Sequence, residues 1–568
     1  MLHTHLPGAA ALGEIYSRIR ISLPDTTIGS RLLNELRVRV HTAAADIAHV
    51  PRTGPVVLVL NHPTGLLEGA VLMQVLQGIR GDVRFLANSM LAAVPELEPW
   101  IIPVDVFGGA ARDNLPGMKH AVSHLIEGGL LVVFPAGEVS HFQWRKLAVC
   151  DGEWHPSIAR MVAMANRRTT GVKVVPAFLS GSNSVLFQCA GILHPRLRSL
   201  LLVRELLCKR GVTVDLRIGR PIAATRLNEF ATPAERTGYL RWRCELLATR
   251  QRFQPRTRLP LFRRSAQPEA EAVAAAQDPA TLAAEIACLP SECRLVSSGT
   301  LTAYIAPAPL IPNTIAEIGR LREIAFRAAG EGTGKRTDLD SFDPHYQHLF
   351  LWNAEKQEIA GAYRLAPTDT TPSLYTSTLF RYGPEFLQRM GPAVELGRSF
   401  VRLEYQKSFA PLLLLWKGIG AWIAAHPRYK VLFGPVSISN RYQALSRDLM
   451  IGFLERYALL PEWKPLVETR NPFRAAAGAP ESFFRTCSGI EELAEVVSDI
   501  EASPEGVPVL LRQYLKLGGK LLGFNVDPEF SNVVDGLIVV DLTRAEPRLL
   551  ERYLGREQAH RFLIYHER

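Results

Sequence analysis

Two polar clusters, far apart in the chain, have residue types and spacing suited to chemistry. The first is Asn61-His62-Pro63-Thr64-Gly65-Leu66-Leu67-Glu68-Gly69. A histidine followed six residues later by a carboxylate can act as a base held by its orienter. Glu68 would accept the Nδ1 proton and leave Nε2 of His62 free to take a proton from an attacking hydroxyl. A turn histidine beside an unrelated acid has the same spacing. A second segment, Val132–Ser140 (VVFPAGEVS), ends an apolar run in Phe134-Pro135-Ala136-Gly137. Such a turn can offer backbone N–H groups that polarise a carbonyl or hold an acceptor near the histidine.

The other cluster runs through Arg322, Phe326, Gly330–Lys335 (GEGTGK), Asp338, Asp340, Asp343, His345 and His348. The glycine-rich run lacks the G-x4-G-K-[ST] spacing, is followed by Arg336, and follows no strand pattern, which excludes a phosphate-binding loop. Three aspartates with two histidines could surround a metal, but no recognised ligand spacing is present, so no metal is expected. The carboxylates can hold a cationic group and take up a proton, and an arginine such as Arg322 can brace them, as a structural ion-pair network would.

These clusters need elements to position them. Residues 50–225 alternate short Val/Leu/Ile runs (55–60, 83–87, 130–134, 172–178, 212–218) with longer helical stretches such as 117–127. That alternation predicts an α/β domain with buried, largely parallel strands. After Arg264 the chain becomes SAQPEAEAVAAAQDPATLAAE, without aromatics, and reads as a linker. A second module then mixes strands (301–305, 359–365, 431–438, 536–540) with helices (314–328, 441–457). The expected division is 1–265, a linker over 266–290, and 291–568.

Net charge divides the same way. Residues 1–268 hold 33 basic and 19 acidic residues, or +14; the remaining 32 and 36 give −4. The excess concentrates in 196–264, with 17 basic and 5 acidic residues. An arginine-rich helix there, interleaved with Trp, Leu and Phe, is expected to lie on an anionic membrane surface. No nucleic-acid motif accompanies it, so no nucleic-acid partner is expected. Seven scattered cysteines without a CxxC pair suggest a reducing compartment and no structural zinc. The first thirty residues lack a basic start followed by an apolar core, so no signal peptide is expected. The apolar run 409–425, at 17 residues, is short for a span and reads as a packed helix. The tail over 510–527 reads as core, with an acyl-tunnel lining as the alternative.

The ordered motifs of the front half resemble the glycerolipid acyltransferase superfamily, whose members carry Asn-His-x4-Asp, then Phe-Pro-Glu-Gly-Thr-Arg-Ser, then a Val-Pro strand motif like Val175-Pro176-Ala177-Phe178 here. The match covers about 30–225 and implies catalytic roles for His62 and Glu68. It implies acceptor-binding roles for Asn61, Gly137 and Glu138; Arg112 could meet an anionic head group or be a surface arginine. The departures are a longer His–acid gap, Glu68 for Asp, and Ala136 and Val139 for the charged pair that faces a glycerol phosphate. They point toward the branch acting on lyso-aminolipids. The back half is similar to acyl-homoserine-lactone synthases, which have a GNAT-like fold. It resembles the ornithine N-acyltransferases more closely, through Asp338–Phe350 (DLDSFDPHYQHLF), Glu395–Val401 (ELGRSFV) and Leu432–Ser439 (LFGPVSIS). This implies Glu395 and Asp340 as catalytic, with Arg322, Asp338, Asp343, Arg364 and Arg398 around the substrate.

Taken together the halves resemble bifunctional ornithine-lipid synthases. The implied expectation is an α/β acyltransferase domain fused to a GNAT-like domain, N-acylating ornithine and then O-acylating the lyso-lipid. The partners implied are acyl carrier protein, whose thioester is co-substrate, and an amino-acid acceptor, with no separate cofactor. The implied location is cytoplasmic, peripheral on the inner face of the bacterial cytoplasmic membrane. Glycine, glutamine or lysine as acceptor, or a non-catalytic membrane-bound scaffold, are the alternatives.

Overall fold

A computed structural model of the 568-residue chain describes residues 8–20, 26–105, 114–193, 198, 200–250, 270–475, 481–487, 489–503 and 506–567. Arg112 and the basic run 251–264 lie outside the described residues. The chain divides into two units, Met1–Phe253 and Gln254–Arg568.

The first unit is built on one sheet. Its strands are β1 (Arg39–His41), β2 (Val56–Leu60), β3 (Val83–Asn88), β4 (Ile101–Val104), β5 (Leu130–Val133), β8 (Lys173–Leu179), β9 (Thr213–Ile218) and β10 (Ile222–Ala223), with a separate hairpin of β6 (His141–Gln143) and β7 (Ala148–Cys150). The order is β1-β9-β8-β2-β5-β3-β4, with β10 on β8. Only the pairs of β8 with β9 and β10 are antiparallel, as a βα-alternating sequence predicts. Every residue of β2 is buried: Val56, Leu58 and Leu60 face one core, Val57 and Val59 the other. Each such side chain contributes about 1.5–3 kcal/mol. Because β5, β2 and β8 are adjacent and parallel, the loops after Val133, Leu60 and Leu179 meet at one sheet edge, where α/β sheets place their sites.

The arginine-rich helix Pro233–Ala248 starts at a capping box between Thr232 and Glu235, with Pro233 just inside it. Its apolar face belongs to the core: Tyr239, Leu240, Cys244 and Leu247 are buried. Arg241 donates to the Asp151 and Gly152 carbonyls, Arg243 to Tyr239 Oη, and Arg250 to Asp46. A charge count registers such arginines but not that these three turn to protein partners; residues 251–264 of the stretch expected to meet a membrane lie outside the described residues.

In the second unit β11 (Arg294–Ser298), β12 (Leu301–Pro307), β13 (Gln347–Asn353), β14 (Glu358–Pro367), β16 (Ala393–Val401), β17 (Val431–Ile438), β20 (Val533–Asp541) and β19 (Lys520–Asp527) form one sheet in that order. A two-stranded sheet joins β15 (Phe380–Tyr382) to β18 (Val467–Thr469). All pairs of the large sheet are antiparallel except β16 with β17. Those two pair over only Ala393–Glu395 and Val431–Phe433, then part, so Glu395 sits at a fork in the sheet. Gly434 lies where a Cβ would meet the Leu396 carbonyl oxygen at 2.1 Å, so the strands approach closely only with glycine there.

Helix Ala410–Ala425 is packed, as its composition predicts: Leu415, Trp416, Ile419 and Ile423 are buried, and a Cβ at Gly420 would meet the Tyr553 carbonyl oxygen at 2.3 Å. No described helix is long and apolar enough to cross a membrane. The tail is core, with Leu511, Leu521, Leu522 and Phe524 buried. Much of the stretch read as a linker is built into this unit. Helix Pro279–Ala287 places Leu282 and Ile286 in the core beside Ile311 and Ile318, and the Glu271 and Ala274 amides donate to Gly334 and Arg336 carbonyls. Its small residues are the helix's exposed face.

Candidate active sites

In the first unit the β2 loop brings His62 and Glu68 together: Nδ1 of His62 lies 3.4 Å from Glu68 Oε1. Glu68 is fully buried, in the first turn of helix Leu67–Leu76. Its carboxylate accepts from the Thr64 and Gly65 amides and from Thr64 Oγ1 at 2.7 Å. Burial alone would push the acid up, but His62, 3.4 Å away, and the Thr64 and Gly65 amides together hold it down at about 2. Glu68 is therefore an anion across the neutral range. The His62 ring packs on Phe134, centroids 4.4 Å apart, and stays partly open to solvent.

A residue that sequence reasoning missed fixes this turn. Asp151, nearly buried, accepts from the His62 amide at 3.1 Å and from Ser140 Oγ at 2.5 Å, while its other oxygen accepts from Trp154 Nε1 at 2.9 Å. Ser140 in turn donates its amide to the His62 carbonyl at 2.8 Å. No local spacing signals Asp151, which lies 89 residues from His62.

Other expected residues are placed differently. Asn61 donates Nδ2 to the Leu179 carbonyl at 2.9 Å and accepts the Leu179 amide at 2.8 Å, so it ties β2 to β8. Gly137 adopts φ 66°, which favours glycine, but its amide donates to the Phe134 carbonyl and closes the turn. The expected free N–H group is not at that position. Glu138 is ion-paired with Arg198.

In the second unit three arginines and three aspartates interlock. Arg322 Nη1 lies 2.7 Å from Asp343 Oδ1; Arg364 Nη1 lies 2.7 Å from Asp340 Oδ1 and 3.2 Å from Asp343; Arg398 Nε lies 3.3 Å from Asp338. Burial pushes Asp343 up, but Arg322 and Arg364 outweigh it and hold the acid well below the usual range. Asp338, where burial outweighs Arg398, is raised. Arg322 and Arg364 are fully buried and brace the acids. Arg398 takes φ 48°, a left-handed conformation costing about 1–2 kcal/mol for a residue with a side chain. Its guanidinium stacks 4.6 Å from the Tyr375 ring and 4.7 Å from Phe530. His348 is held down to about 4, first by burial and then by Arg322, and its Nε2 lies 2.8 Å from the Asp343 carbonyl. No group of three metal-ligating side chains occurs among the described residues. The GEGTGK loop wraps a carboxylate: Glu323 accepts from the Thr333 and Gly334 amides and from Thr333 Oγ1.

Glu395, fully buried at the fork, accepts from Tyr346 Oη at 3.1 Å and Thr376 Oγ1 at 2.9 Å, and Tyr382 Oη donates to Thr376. Burial pushes Glu395 up to about 7, against the lowering by Thr376, Arg364 and Tyr346. Asp535 rises to about 6 and Glu331 to about 7, both mainly through burial. Asp527 completes this acidic group, accepting from Tyr375 Oη at 3.3 Å. Tyr346 and Glu331 stood inside recognised motifs, whereas Tyr375, Thr376 and Asp535 carried no signal.

Comparison with known proteins sorts the two units. A family model described as Acyltransferase matches residues 37–251, and one described as Acetyltransferase (GNAT) domain matches 321–417. The chain is 33% identical over 279 residues to the glycine N(alpha)-acyltransferase of Bacteroides thetaiotaomicron, covering 45% of this chain and 82% of that protein. It is 30% identical over 196 residues to the lyso-glycine lipid O-acyltransferase of Phocaeicola vulgatus, covering 33% of this chain and 67% of that one. To the L-ornithine N(alpha)-acyltransferase of Rhodobacter capsulatus it is 29% identical over 254 residues, covering 42% and 89%.

Proposed function

We propose, for a chain that belongs to the family of amino-acid Nα-acyltransferases and lyso-lipid O-acyltransferases, a synthesis whose two acyl transfers are divided between its two units. The chain is an acyltransferase. In the first transfer, the α-amine of ornithine attacks a 3-hydroxyacyl thioester of acyl carrier protein. The C–N bond forms, the C–S bond breaks, and Glu395 takes the proton that the amine loses. In the second, His62 Nε2 takes the proton of the lyso-lipid's 3-hydroxyl as it attacks another acyl thioester, then returns it to the departing thiolate. Glu68 holds the imidazole and stabilises its charged form.

The observation that carries this reading is the presence of two different proton acceptors: an imidazole backed by an ionised carboxylate, and a lone carboxyl near neutrality. The acids around Arg398 and its Tyr375 partner, Asp338, Asp340, Asp527 and Asp535, support a cationic acceptor side chain. The glycine reading is favoured by the 33% identity to a glycine acyltransferase. The enzyme would work at the inner face of the cytoplasmic membrane. Expression in a host without aminolipids, fed labelled amino acids, is the test. Ornithine label in a diacylated lipid is expected, and label from glycine alone overturns ornithine as acceptor.

A further inference from the structure

We propose that the β6–β7 hairpin of the first unit enters the headgroup region of an anionic bilayer and presents the His62 site to it. The inference rests on the lyso-lipid reading of that site. The hairpin reads His141-Phe-Gln-Trp144-Arg145-Lys146-Leu147-Ala-Val149 and contains no acid. At its tip Trp144 is 68% exposed and Leu147 77%, beside exposed Arg145 and Lys146. An exposed Trp–Leu pair flanked by two cations has the chemistry of a membrane interface, where the ring sits at headgroup level and the cations meet anionic phosphates.

Backbone geometry points the same way. Leu147 holds φ 48°, a conformation unfavourable for leucine, and its exposed side chain gains little packing to offset that. Next to the hairpin, helix Val185–Leu193 exposes Val185 and Leu186, and Gln188 Oε1 accepts the Phe142 amide at 2.9 Å, so the apolar surface extends beyond the tip.

The hairpin is also tied to the catalytic turn at both feet. Ser140, just before it, donates to the His62 carbonyl, and Asp151, just after it, accepts the His62 amide. Four residues of extended chain, at about 3.3 Å each, place the tip at most about 13 Å from that turn. Insertion of the tip would therefore hold His62 near the surface where a lyso-lipid hydroxyl lies.

The full-length enzyme would be floated with phosphatidylcholine vesicles, with and without phosphatidylglycerol, alongside the double variants Arg145→Gln/Lys146→Gln and Trp144→Ser/Leu147→Ser. Wild type should bind the phosphatidylglycerol vesicles. Neutralising both cations should weaken binding about 30-fold, equivalent to about 1 kcal/mol for each basic residue near the surface. Removing Trp144 and Leu147 should weaken it at least tenfold. Both variants should retain wild-type circular dichroism and wild-type O-acylation of a dispersed short-chain lyso-lipid, while losing turnover of the vesicle-embedded one. Vesicle binding that depends on the hairpin in an enzyme without O-acylation would support the docking and overturn the lyso-lipid reading. Unchanged vesicle binding by both variants overturns the docking proposal. So does a raised KM for acyl carrier protein with vesicle binding intact, which would assign the hairpin to that partner.

Discussion

Glu68 and Glu395 are buried to the same extent, each with no exposed surface, yet one is held at about 2 and the other at about 7. Burial pushes both acids up, so the difference lies in what else they meet. Glu68 has a histidine partner of its own, two backbone amides and a hydroxyl. Glu395 has two hydroxyls and more distant Thr376 amide contacts, and the cation that lowers it, Arg364, already pairs with Asp340 and Asp343. A histidine and two amides of its own outweigh desolvation at Glu68; hydroxyls and an arginine shared with two aspartates do not at Glu395. The result is one carboxylate that can only orient and stabilise charge, and one that can itself take a proton near neutral pH.

If that contrast is right, the two activities separate by mutation. His62→Ala should lower O-acylation by about a thousandfold or more, within the range for loss of a positioned general base. N-acylation should persist and lyso-lipid should accumulate, read by thin-layer chromatography of labelled lipid; unchanged diacylated product would break the comparison at once. Asp343→Asn tests the network that leaves Arg364 shared. It strands buried Arg322 without its carboxylate, and breaking such a pair is expected to destabilise the protein by about 3–5 kcal/mol in denaturant unfolding. A loss below about 1 kcal/mol would mean that the guanidinium finds another partner.

Glu395→Gln should lower N-acylation by about a hundredfold while leaving O-acylation intact. The wild-type N-acylation rate should rise with pH through about 7, because the carboxyl must be ionised to act as base. Its stability contribution runs the opposite way. A carboxyl raised on folding stabilises below its ordinary value of 4.5, and that stabilisation is lost as pH rises through about 7. A pH-independent N-acylation rate would remove Glu395 as the base.

How much of this was legible depended on whether the information ran along the chain or across it. The β2 run, with both faces buried, and the motif after it put His62 and Glu68 on one turn, because six residues of loop and helix start are a local arrangement. Asp340 and Arg364 also stood in recognised motifs, although their pairing, 24 residues apart, needed the sheet. Asp151 and Asp535 were invisible because tertiary pairing alone brings them to His62 and Ser437. The arginine-rich helix shows the complementary limit: composition records charge but not direction, and Arg243, 1% exposed, points inward to Tyr239.

The smallest expected effect probes the front dyad most finely. Glu68→Gln keeps a carbonyl oxygen for the Thr64 and Gly65 amides but removes the negative charge facing His62. O-acylation should fall about tenfold to a hundredfold, less than for His62→Ala, because the imidazole remains and only the stabilisation of its charged form is lost. The pH dependence of stability gives an independent readout. A carboxyl lowered on folding stabilises above its ordinary value of 4.5, and this is lost as pH falls toward about 2. The shift corresponds to about 3 kcal/mol, so the wild type should weaken over that acid window while Glu68→Gln stays flatter. Parallel acid limbs for the two proteins would mean that folding does not hold Glu68 below its ordinary value, and the contrast with Glu395 would be lost.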